Sequence, residues 1–302
     1  MLHRFLPQSL CLFLIALLAA CSAEQAPQPD EAPAPEPMAA VEDTESMVVE
    51  SAEAPAMEYF IEFMACETGP DYSAESMTSL VAEWRTLISS DDFQGSWFYS
   101  PVSETNTFGP TAWWELGWTS KEAADAGWAQ WSQNAEAAAL AEKYASVLNC
   151  DAAGRNAWDF VGHVPADTFG ETQDAGYFYS HYWTCSYEGD AGREELEAFL
   201  PSHKAFIEAS PLQGTGYHPG VYFDRRSTDA SHAEVAASHI WGEWARSKED
   251  MAKATENFME NGGDLRAEYS KIGTCTETPD RYDSWVLYAS DDADLVPDFS
   301  RL

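Results

Sequence analysis

Basic residues are scarce in this sequence. Lysine and arginine together number 16, against 51 aspartates and glutamates, which gives a formal net charge of -35 at pH 7. A field of that sign repels phosphate backbones and anionic lipid headgroups, so the charge excludes nucleic acid as a partner. The acidic surplus identifies no partner by itself, because acidic surfaces commonly serve solubility.

Motifs that fix a reaction are missing as well. The sequence contains no GxSxG, HExxH, P-loop or dinucleotide-binding pattern. It has no C-x-x-C pair, the spacing that structural zinc sites use, so we expect no metal. The apolar run from Leu10 to Leu18 is too short to cross a bilayer as a helix. Any function must therefore be argued from strand faces rather than from a signature.

The N-terminus has the layout of an export signal. Arg4 precedes the short apolar run, which ends in the sequence LAAC at Cys21. This ending resembles the lipobox of bacterial lipoproteins. The resemblance implies removal of residues 1–20, lipidation of Cys21 and attachment to the membrane through that lipid, and Ser22 implies the outer membrane, facing the periplasm. Ordinary signal cleavage, with the cysteine a bystander, is the alternative.

A tether is predicted between the signal and the folded part. Residues 22–56 contain six prolines, nine acidic residues and no basic or aromatic residue. Such a segment buries too little apolar surface to offset its ordering entropy, so we predict a disordered tether over residues 21–56. The remaining chain is rich in aromatic residues and long enough for a substantial core, with residues 290–302 as an acidic tail.

The aromatic-rich part is duplicated. An apolar stripe with the spacing of an amphipathic helix follows Cys66 and recurs 119 residues later, after Cys185. The paired positions are Met77 and Leu196, Leu80 and Phe199, Val81 and Leu200, and Trp84 and His203. Further matches join Ser120 to Ser247, Tyr144 to Tyr269 and Cys150 to Cys275. We therefore predict two copies of one unit, residues 57–165 and 175–289, joined by a linker over residues 166–174.

Each copy is predicted to fold as strand, helix, strand, strand, helix, strand. This βαββαβ order is that of a ferredoxin-like fold, so the fold class is α+β with two tandem units. Aromatic-rich first strands are predicted over residues 58–65 and 177–184. The long helical stretch that begins at Lys121 is expected to break near Asn134.

The predicted topology pairs the cysteines. In a ferredoxin-like sheet of order 4-1-3-2, the end of strand one lies beside the start of strand four. Cys66 and Cys150 occupy these two places in the first copy, and Cys185 and Cys275 occupy them in the second. Four cysteines allow three pairings in an oxidising compartment. The duplicated topology favours Cys66 with Cys150 and Cys185 with Cys275.

Two such units in one chain, with the sequence WTSKEAA entering the second helix at Trp118, resemble the dimeric α+β barrel superfamily. That superfamily includes antibiotic-biosynthesis-type monooxygenases and haem-degrading enzymes. The resemblance implies a pseudo-dimeric barrel whose two sheets enclose a cavity, but it implies no activity. Haem-degrading members use an asparagine on the first strand, and neither predicted first strand contains one.

Strand alternation predicts which side chains face the enclosed cavity. Tyr59, Ile61 and Phe63 are all apolar and are expected to pack on the helices. Phe60 and Glu62 would then face the cavity. The same alternation assigns Tyr179 and His181 to the cavity in the second copy.

Glu62 and His181 are the candidate catalytic pair. They occupy equivalent positions, and if the copies are related by a pseudo-twofold axis they could meet in an aromatic chamber and perturb each other's pKa. Such a pair works as a proton relay or as two metal ligands. A structural ion pair, or two groups too distant to meet, is the alternative. The ligand-binding candidates are Phe60, Tyr179, Trp118 and Trp244.

Two function classes follow. The favoured one is a non-catalytic binding or envelope-interaction module that holds a small apolar or aromatic ligand in an aromatic-lined cavity, without a cofactor. The alternative is an oxygenase or haem-handling enzyme of the dimeric α+β barrel type, with haem or a metal as cofactor. A structural protein whose cavity is filled by its own side chains is a third reading.

Overall fold

The computed structural model describes residues 57–102, 106–225, 237–292 and 294–302. The predicted signal peptide, Cys21 and the predicted tether lie outside these residues. In the first half the elements are β1 (Met57–Thr68), α1 (Ala74–Arg85), β2 (Phe93–Pro101), β3 (Ala112–Trp118), α2 (Lys121–Trp131), α3 (Ala135–Lys143), β4 (Leu148–Cys150) and β5 (Asn156–Gly162). In the second half they are β6 (Tyr177–Tyr187), α4 (Arg193–Glu208), β7 (His218–Asp224), β8 (His239–Ala245), α5 (Lys248–Asn261), α6 (Gly263–Tyr269), β9 (Gly273–Cys275) and β10 (Asp280–Ala289), before a 3-10 turn (Phe299–Arg301).

Side-chain caps fix where the helices begin. Ser120 precedes α2 in an extended conformation, and its hydroxyl accepts a hydrogen bond from the third residue of the helix. Ser247 caps α5 in the same way, so the matched serines are N-caps of equivalent helices in the two halves. Asn134 caps α3 with its side-chain carbonyl. The long helical stretch therefore breaks at Asn134, as its position predicts.

The sheet closes into a barrel of mixed α+β type. Its path runs β10-β2-β3-β1-β5-β7-β8-β6, and β6 pairs with β10 to complete the circle. Every pairing between these strands is antiparallel. The halves are joined where β5 meets β7 and where β10 meets β2, so the last strand of each half pairs with the second strand of the other. This closure gives the enclosed interior that the superfamily resemblance implies.

Within each half the strands lie in the order β5-β1-β3-β2 and β10-β6-β8-β7. Two features depart from the simple βαββαβ order. A three-residue strand is added beside the first strand of each half, β4 beside β1 and β9 beside β6. The second helix is divided in each half, into α2 and α3 and into α5 and α6.

The added strands carry the disulfides. Cys66 on β1 lies opposite Cys150 on β4 in the sheet register, and the two are bonded. Cys185 on β6 lies opposite Cys275 on β9 and is bonded to it. These are the pairs that the duplicated topology favours. Each bridge ties the end of a first strand to the segment that leads into the last strand of the same half.

The acidic segment after β10 packs against β10 and the core of the first half. Phe299 is buried, with its ring 5.4 Å from that of Trp285. The indole N–H of Trp285 donates to the carbonyl of Asp298 at 2.9 Å.

Within the part of the chain that the structure describes, no helix is long and apolar enough to cross a membrane.

Candidate functional site

The two faces of β1 are the reverse of the prediction. Ile61 and Phe63 point into the barrel, whereas Phe60 and Met64 pack under the helices. The prediction assumed that a wholly apolar face must meet the helices. A closed barrel of about eight strands is filled by its own inward side chains, so the wholly apolar face belongs inside it. The assignment of Glu62 to the barrel cavity is therefore wrong.

Glu62 lies beneath α2, where a cation and an indole satisfy it. Its carboxylate is 1% exposed, and it accepts hydrogen bonds from Nε of Arg155 at 2.7 Å and from the indole N–H of Trp128 at 2.6 Å. The Arg155 guanidinium also stacks on the Trp128 ring, 4.5 Å from its centroid. The carboxylate is thus the centre of a buried ion pair that fixes Trp128 against the sheet.

His181 occupies the helix-facing side of the second half. Its Nδ1 lies 3.7 Å from the carboxylate of Glu243, which also accepts hydrogen bonds from Trp183 and Tyr217. Burial opposes ionisation of Glu243, but the nearby His181 ring and the hydrogen bonds from Trp183 and Tyr217 outweigh it and lower the pKa of that carboxyl. Glu62 and His181 therefore have separate partners under different helices, and the predicted shared catalytic pair is wrong.

Two of the four ligand-binding candidates lie on the helix side of the sheet, outside the barrel interior that both halves enclose. Phe60 packs in the first-half core, and Tyr179 packs beneath α4 and α5 with Ile207 and Met251. Neither faces the barrel interior, for the same reason that Glu62 does not. Trp244 does point into the barrel, where its ring packs against Phe160 and Tyr182.

The barrel interior is packed with aromatic rings from both halves. Its buried side chains include Phe63, Tyr99, Trp158, Phe160, Phe178, Tyr182, Tyr222, Trp244 and Tyr282. A space of about 40 Å³ remains beside some of them. The reading in which the chain fills its own cavity therefore applies to this region.

A carboxyl group lies in the middle of these rings. Glu115 on β3 is 2% exposed, and it accepts hydrogen bonds from the phenols of Tyr99 and Tyr222, the latter at 3.0 Å. Burial raises the pKa of Glu115 to about 8, against the lowering effect of the two phenols. The tyrosines come from β2 and β7, so this carboxyl links the two halves across the interior.

The larger cavity lies elsewhere, between the first-half sheet and its helices. It has a volume of about 260 Å³. Its walls are strands β1 and β3 below and helices α1, α2 and α3 above. The apolar lining comprises Met64, Leu80, Trp84, Leu87, Ile88, Phe93, Trp114, Leu116, Trp118, Trp128, Trp131, Leu140, Tyr144 and Leu148. We refer to this space as the tryptophan cavity.

Trp118 carries the one feature of this cavity that calls for a polar partner. The side chain is 7% exposed, and its indole N–H is buried with no hydrogen-bond partner in the structure. A buried unpaired donor costs about 1–3 kcal/mol, and a ligand that accepts from it recovers part of that cost. Gly127 on α2 lets the ring lie there, because a Cβ at that position would approach the Trp118 ring to 2.3 Å. Of the four ligand-binding candidates, Trp118 lies in the tryptophan cavity.

The second half fills the corresponding space. The pairing of Phe60 with Trp118 and of Tyr179 with Ala245 shows that Trp118 has an alanine as its counterpart. His203 takes the place of Trp84, and its Nδ1 is hydrogen-bonded to Nε2 of His163 at 2.7 Å. Burial lowers the pKa of His203 to about 4 and that of His163 to about 2, so both rings are neutral at pH 7. His203 packs 4.9 Å from Trp241, which makes this a polar core rather than a chamber.

Several residues of the cavity escaped the sequence analysis. Trp84 was expected only as part of a helical stripe, and Trp128 and Trp131 received no role. The available signal was the spacing of Ala124, Trp128 and Trp131, which puts all three on one face of α2. Glu115 gave no signal, because a single acid in the aromatic sequence of β3 reads as a surface residue.

Comparison with known proteins finds similarity of shape at low identity. No protein-family model matches the chain, and no curated protein matches it. A structure described as that of a proposed chlorite dismutase has a TM-score of 0.45 and 8% identity, over 80% of this chain and 100% of the other. The chlorite dismutase of Candidatus Nitrospira defluvii bound to imidazole has a TM-score of 0.44 and 12% identity, over 76% and 92%. A proposed monooxygenase from Lactobacillus acidophilus has 0.42 and 7%, over 76% and 94%. The chain is similar to these proteins, and at this level the similarity assigns it no activity.

Proposed function

We propose that the protein binds a small, flat, apolar molecule in the tryptophan cavity, through ring contacts and one hydrogen bond from Trp118. The observation that carries the proposal is an apolar cavity with a buried, unpaired indole N–H on its wall. Ligand pockets are typically apolar with a few polar groups that fix orientation, and this cavity has that composition. The ligand class is therefore an aromatic or alicyclic molecule that carries one hydrogen-bond acceptor.

The size of the cavity narrows the class further. A dry apolar cavity of roughly 150 Å³ accommodates benzene. The tryptophan cavity has about 260 Å³, which suits two fused rings better than one. Trp84 and Trp114 meet edge to face on one side at 5.0 Å, and Phe93 meets Trp118 on the other at 4.7 Å. A planar ligand between these walls would make the offset and edge contacts that aromatic rings prefer.

The rim of the cavity supports the same proposal. Gln130 on α2 donates a hydrogen bond to Ser89, which follows α1, at 2.8 Å. Both side chains line the cavity, so this bond spans two elements at its edge. Replacing an exposed hydrogen bond of this kind with hydrogen bonds to water changes the free energy little. We propose that this bond opens when a ligand enters the cavity.

A haem-handling enzyme is supported less well. Haem iron takes an axial histidine, thiolate, methionine or tyrosine. The described lining of the tryptophan cavity has no histidine, and its cysteine, Cys150, is bonded to Cys66. Tyr144 donates its hydroxyl to Glu83, and the lining has no lysine or arginine to pair with propionates. The residues that line the tryptophan cavity do not fit a haem, so we assign no reaction step to one there.

The proposal includes the setting of the binding site. We propose that the chain is two fused ferredoxin-like units exported as one lipoprotein, with Cys21 lipidated and residues 21–56 as the tether. The two disulfides support an oxidising, extracytoplasmic setting. Metabolic labelling with a fatty acid, compared between the wild type and Cys21→Ala, tests this part. Equal labelling of both would contradict it.

Calorimetric titration with quinoline and naphthalene tests the binding proposal. Both are flat bicyclic molecules, but only quinoline has an acceptor for Trp118. We expect the Trp118 indole N–H to favour quinoline over naphthalene by a factor of roughly ten, the worth of one buried hydrogen bond. Trp118→Phe should remove this preference and retain naphthalene binding. Trp244→Phe, the same change inside the barrel, serves as the matched control and should leave both affinities unchanged.

A cavity-filling variant completes the test. Leu140 on α3 is buried on the cavity wall, and Leu140→Trp would occupy the ligand's volume. We expect it to abolish binding of both probes while the thermal unfolding transition stays cooperative. Unchanged affinity for both probes in a folded Leu140→Trp protein would place the binding site elsewhere and end the proposal.

A further inference from the structure

The second disulfide lies beside a histidine that the first disulfide lacks. The Sγ atoms of Cys185 and Cys275 and a ring nitrogen of His239 all lie within 4.8 Å of one another. Within the residues that the structure describes, this is the group of three side chains placed to hold a metal ion. His239 is fully buried, and Cys275 is the more exposed of the two sulfurs. A small reactant can therefore approach from the Cys275 side.

Hydrogen bonds set which nitrogen of His239 is available. The Ser238 hydroxyl donates to the carbonyl of Cys185 at 3.3 Å, so its oxygen is left to accept from Nδ1–H of His239 at 3.0 Å. The Nε2 lone pair then points at the Tyr269 hydroxyl, 2.7 Å away. That hydroxyl lies 3.1 Å from Sγ of Cys275. Metal-binding histidines are oriented in this way, with one N–H held by an oxygen and the other nitrogen turned toward the metal. Coordination by Nε2 therefore requires the Tyr269 hydroxyl to turn away from it.

The first half supplies an internal comparison. In the sheet register His239 lies opposite Cys185, whereas Ala112 lies opposite Cys66. Tyr144, the counterpart of Tyr269, donates its hydroxyl to Glu83 at 2.8 Å instead of facing a sulfur. The first disulfide thus has neither the nitrogen nor the phenol that flank the second. A property that depends on them belongs to the second half.

We propose that reduction of the Cys185–Cys275 disulfide turns this cluster into a zinc site with Cys185, Cys275 and His239 as ligands. A dithiol reductant supplies two electrons and two protons, becomes a disulfide itself and leaves two thiols on the protein. Zn²⁺ then binds the two sulfurs as thiolates, which releases two protons, and takes Nε2 of His239 as the third ligand. The fourth position, beside the Tyr269 hydroxyl, takes water.

The geometry and the donor set fit this ion. In a tetrahedral site with Zn–S of about 2.3 Å, two sulfurs lie about 3.8 Å apart. The three ligand atoms of this cluster already lie within 4.8 Å of one another. Two thiolates and an imidazole favour zinc over magnesium or calcium, which prefer oxygen ligands. The oxidised pair offers no thiolate. The site therefore exists in the reduced protein and is absent from the oxidised one.

Cobalt titration tests this proposal, because Co²⁺ occupies zinc sites and thiolate ligands give it a charge-transfer absorption. The protein is the full chain with Cys11→Ser and Cys21→Ser, so that sulfurs outside the two disulfides do not contribute. After reduction with a phosphine, we expect one equivalent of cobalt with the thiolate band, and displacement by zinc. The oxidised protein should show no band. His239→Ala should weaken cobalt binding at least about tenfold.

The other disulfide gives the matched control. Cys66→Ala with Cys150→Ala, studied in the reduced state, should bind cobalt as the parent does. Near-ultraviolet circular dichroism of each reduced sample follows folding, and zinc should restore any tertiary signal that reduction weakens, because metal binding adds folding free energy. Absence of the thiolate band in the reduced parent overturns the proposal. So does equal cobalt affinity in the parent and in His239→Ala, whether or not the reduced chain stays folded.

Discussion

Replacing Glu115 with glutamine should raise the stability of the protein at pH 9 by on the order of 5 kcal/mol. The pKa of this buried carboxyl is about 8 in the folded protein, against 4.5 for an exposed glutamate. A folded pKa above the unfolded one means that the folded state holds the proton more tightly. The stability contribution is complete below pH 4.5 and is lost as the pH rises to about 8, at roughly 1.4 kcal/mol per pH unit. Glutamine stays neutral and can still bond to Tyr99 and Tyr222, so it avoids this loss.

Urea unfolding at intervals between pH 4 and pH 9 measures this effect. The wild type should lose stability across the window from pH 4.5 to 8, and Glu115→Gln should lose much less. Glu243→Gln is the matched control with the opposite sign, because the pKa of Glu243 is lowered by its partners. That variant should be less stable than the wild type at pH 7 and should approach it below pH 4. Parallel curves for the wild type and Glu115→Gln would show that this carboxyl is not held protonated in the barrel.

Removing either disulfide should cost about 4.5 kcal/mol. Cys66 and Cys150 are 84 residues apart, and Cys185 and Cys275 are 90 apart, so each bridge closes a long loop in the unfolded chain. Chain-entropy estimates for loops of this length give about 4.5 kcal/mol at 25 °C. For a domain of this size, that loss lowers the melting temperature by roughly 10 to 15 °C.

The paired alanine variants at each bridge measure this prediction in the same buffer. Because the two loops are nearly equal in length, the two variants should lose nearly equal stability in the absence of metal. With zinc present, the reduced wild type should recover stability through zinc bound to Cys185 and Cys275, and not through Cys66 and Cys150. A loss below about 1 kcal/mol for either pair of alanines would show that the loop it closes is already restricted in the unfolded chain.

Most of the fold that could be predicted was predicted from the duplication. Matched cysteines, serine caps and apolar stripes set the element order, and Asn134 marked the break in the second helix. Closure of the sheet reversed the interior and exterior faces of β1. Ile61 and Phe63 fit the dry interior of the barrel because they carry no polar atom, whereas Glu62 needs Arg155 and Trp128, which come from elsewhere in the chain. Alternation gives two faces but does not say which one a closed barrel encloses.

The tryptophan cavity could not be predicted from the sequence of one copy alone. It arises from differences between the copies. Trp118, which packs over Gly127, has Ala245 as its counterpart in the second half. Trp84 has His203 as its counterpart, and His203 fills the equivalent space together with His163. A residue-by-residue comparison of the copies would have marked these positions as unequal. It would not have shown which half keeps an empty volume, because that depends on how the rings pack.

The most direct test of the account is a crystal structure of the protein soaked with quinoline. The account predicts density for one bicyclic ring in the tryptophan cavity, with the quinoline nitrogen within hydrogen-bond distance of the Trp118 indole N–H and no ligand in the barrel interior. An empty tryptophan cavity at saturating quinoline, or a ligand bound among Tyr99, Tyr182 and Trp244 instead, would contradict it.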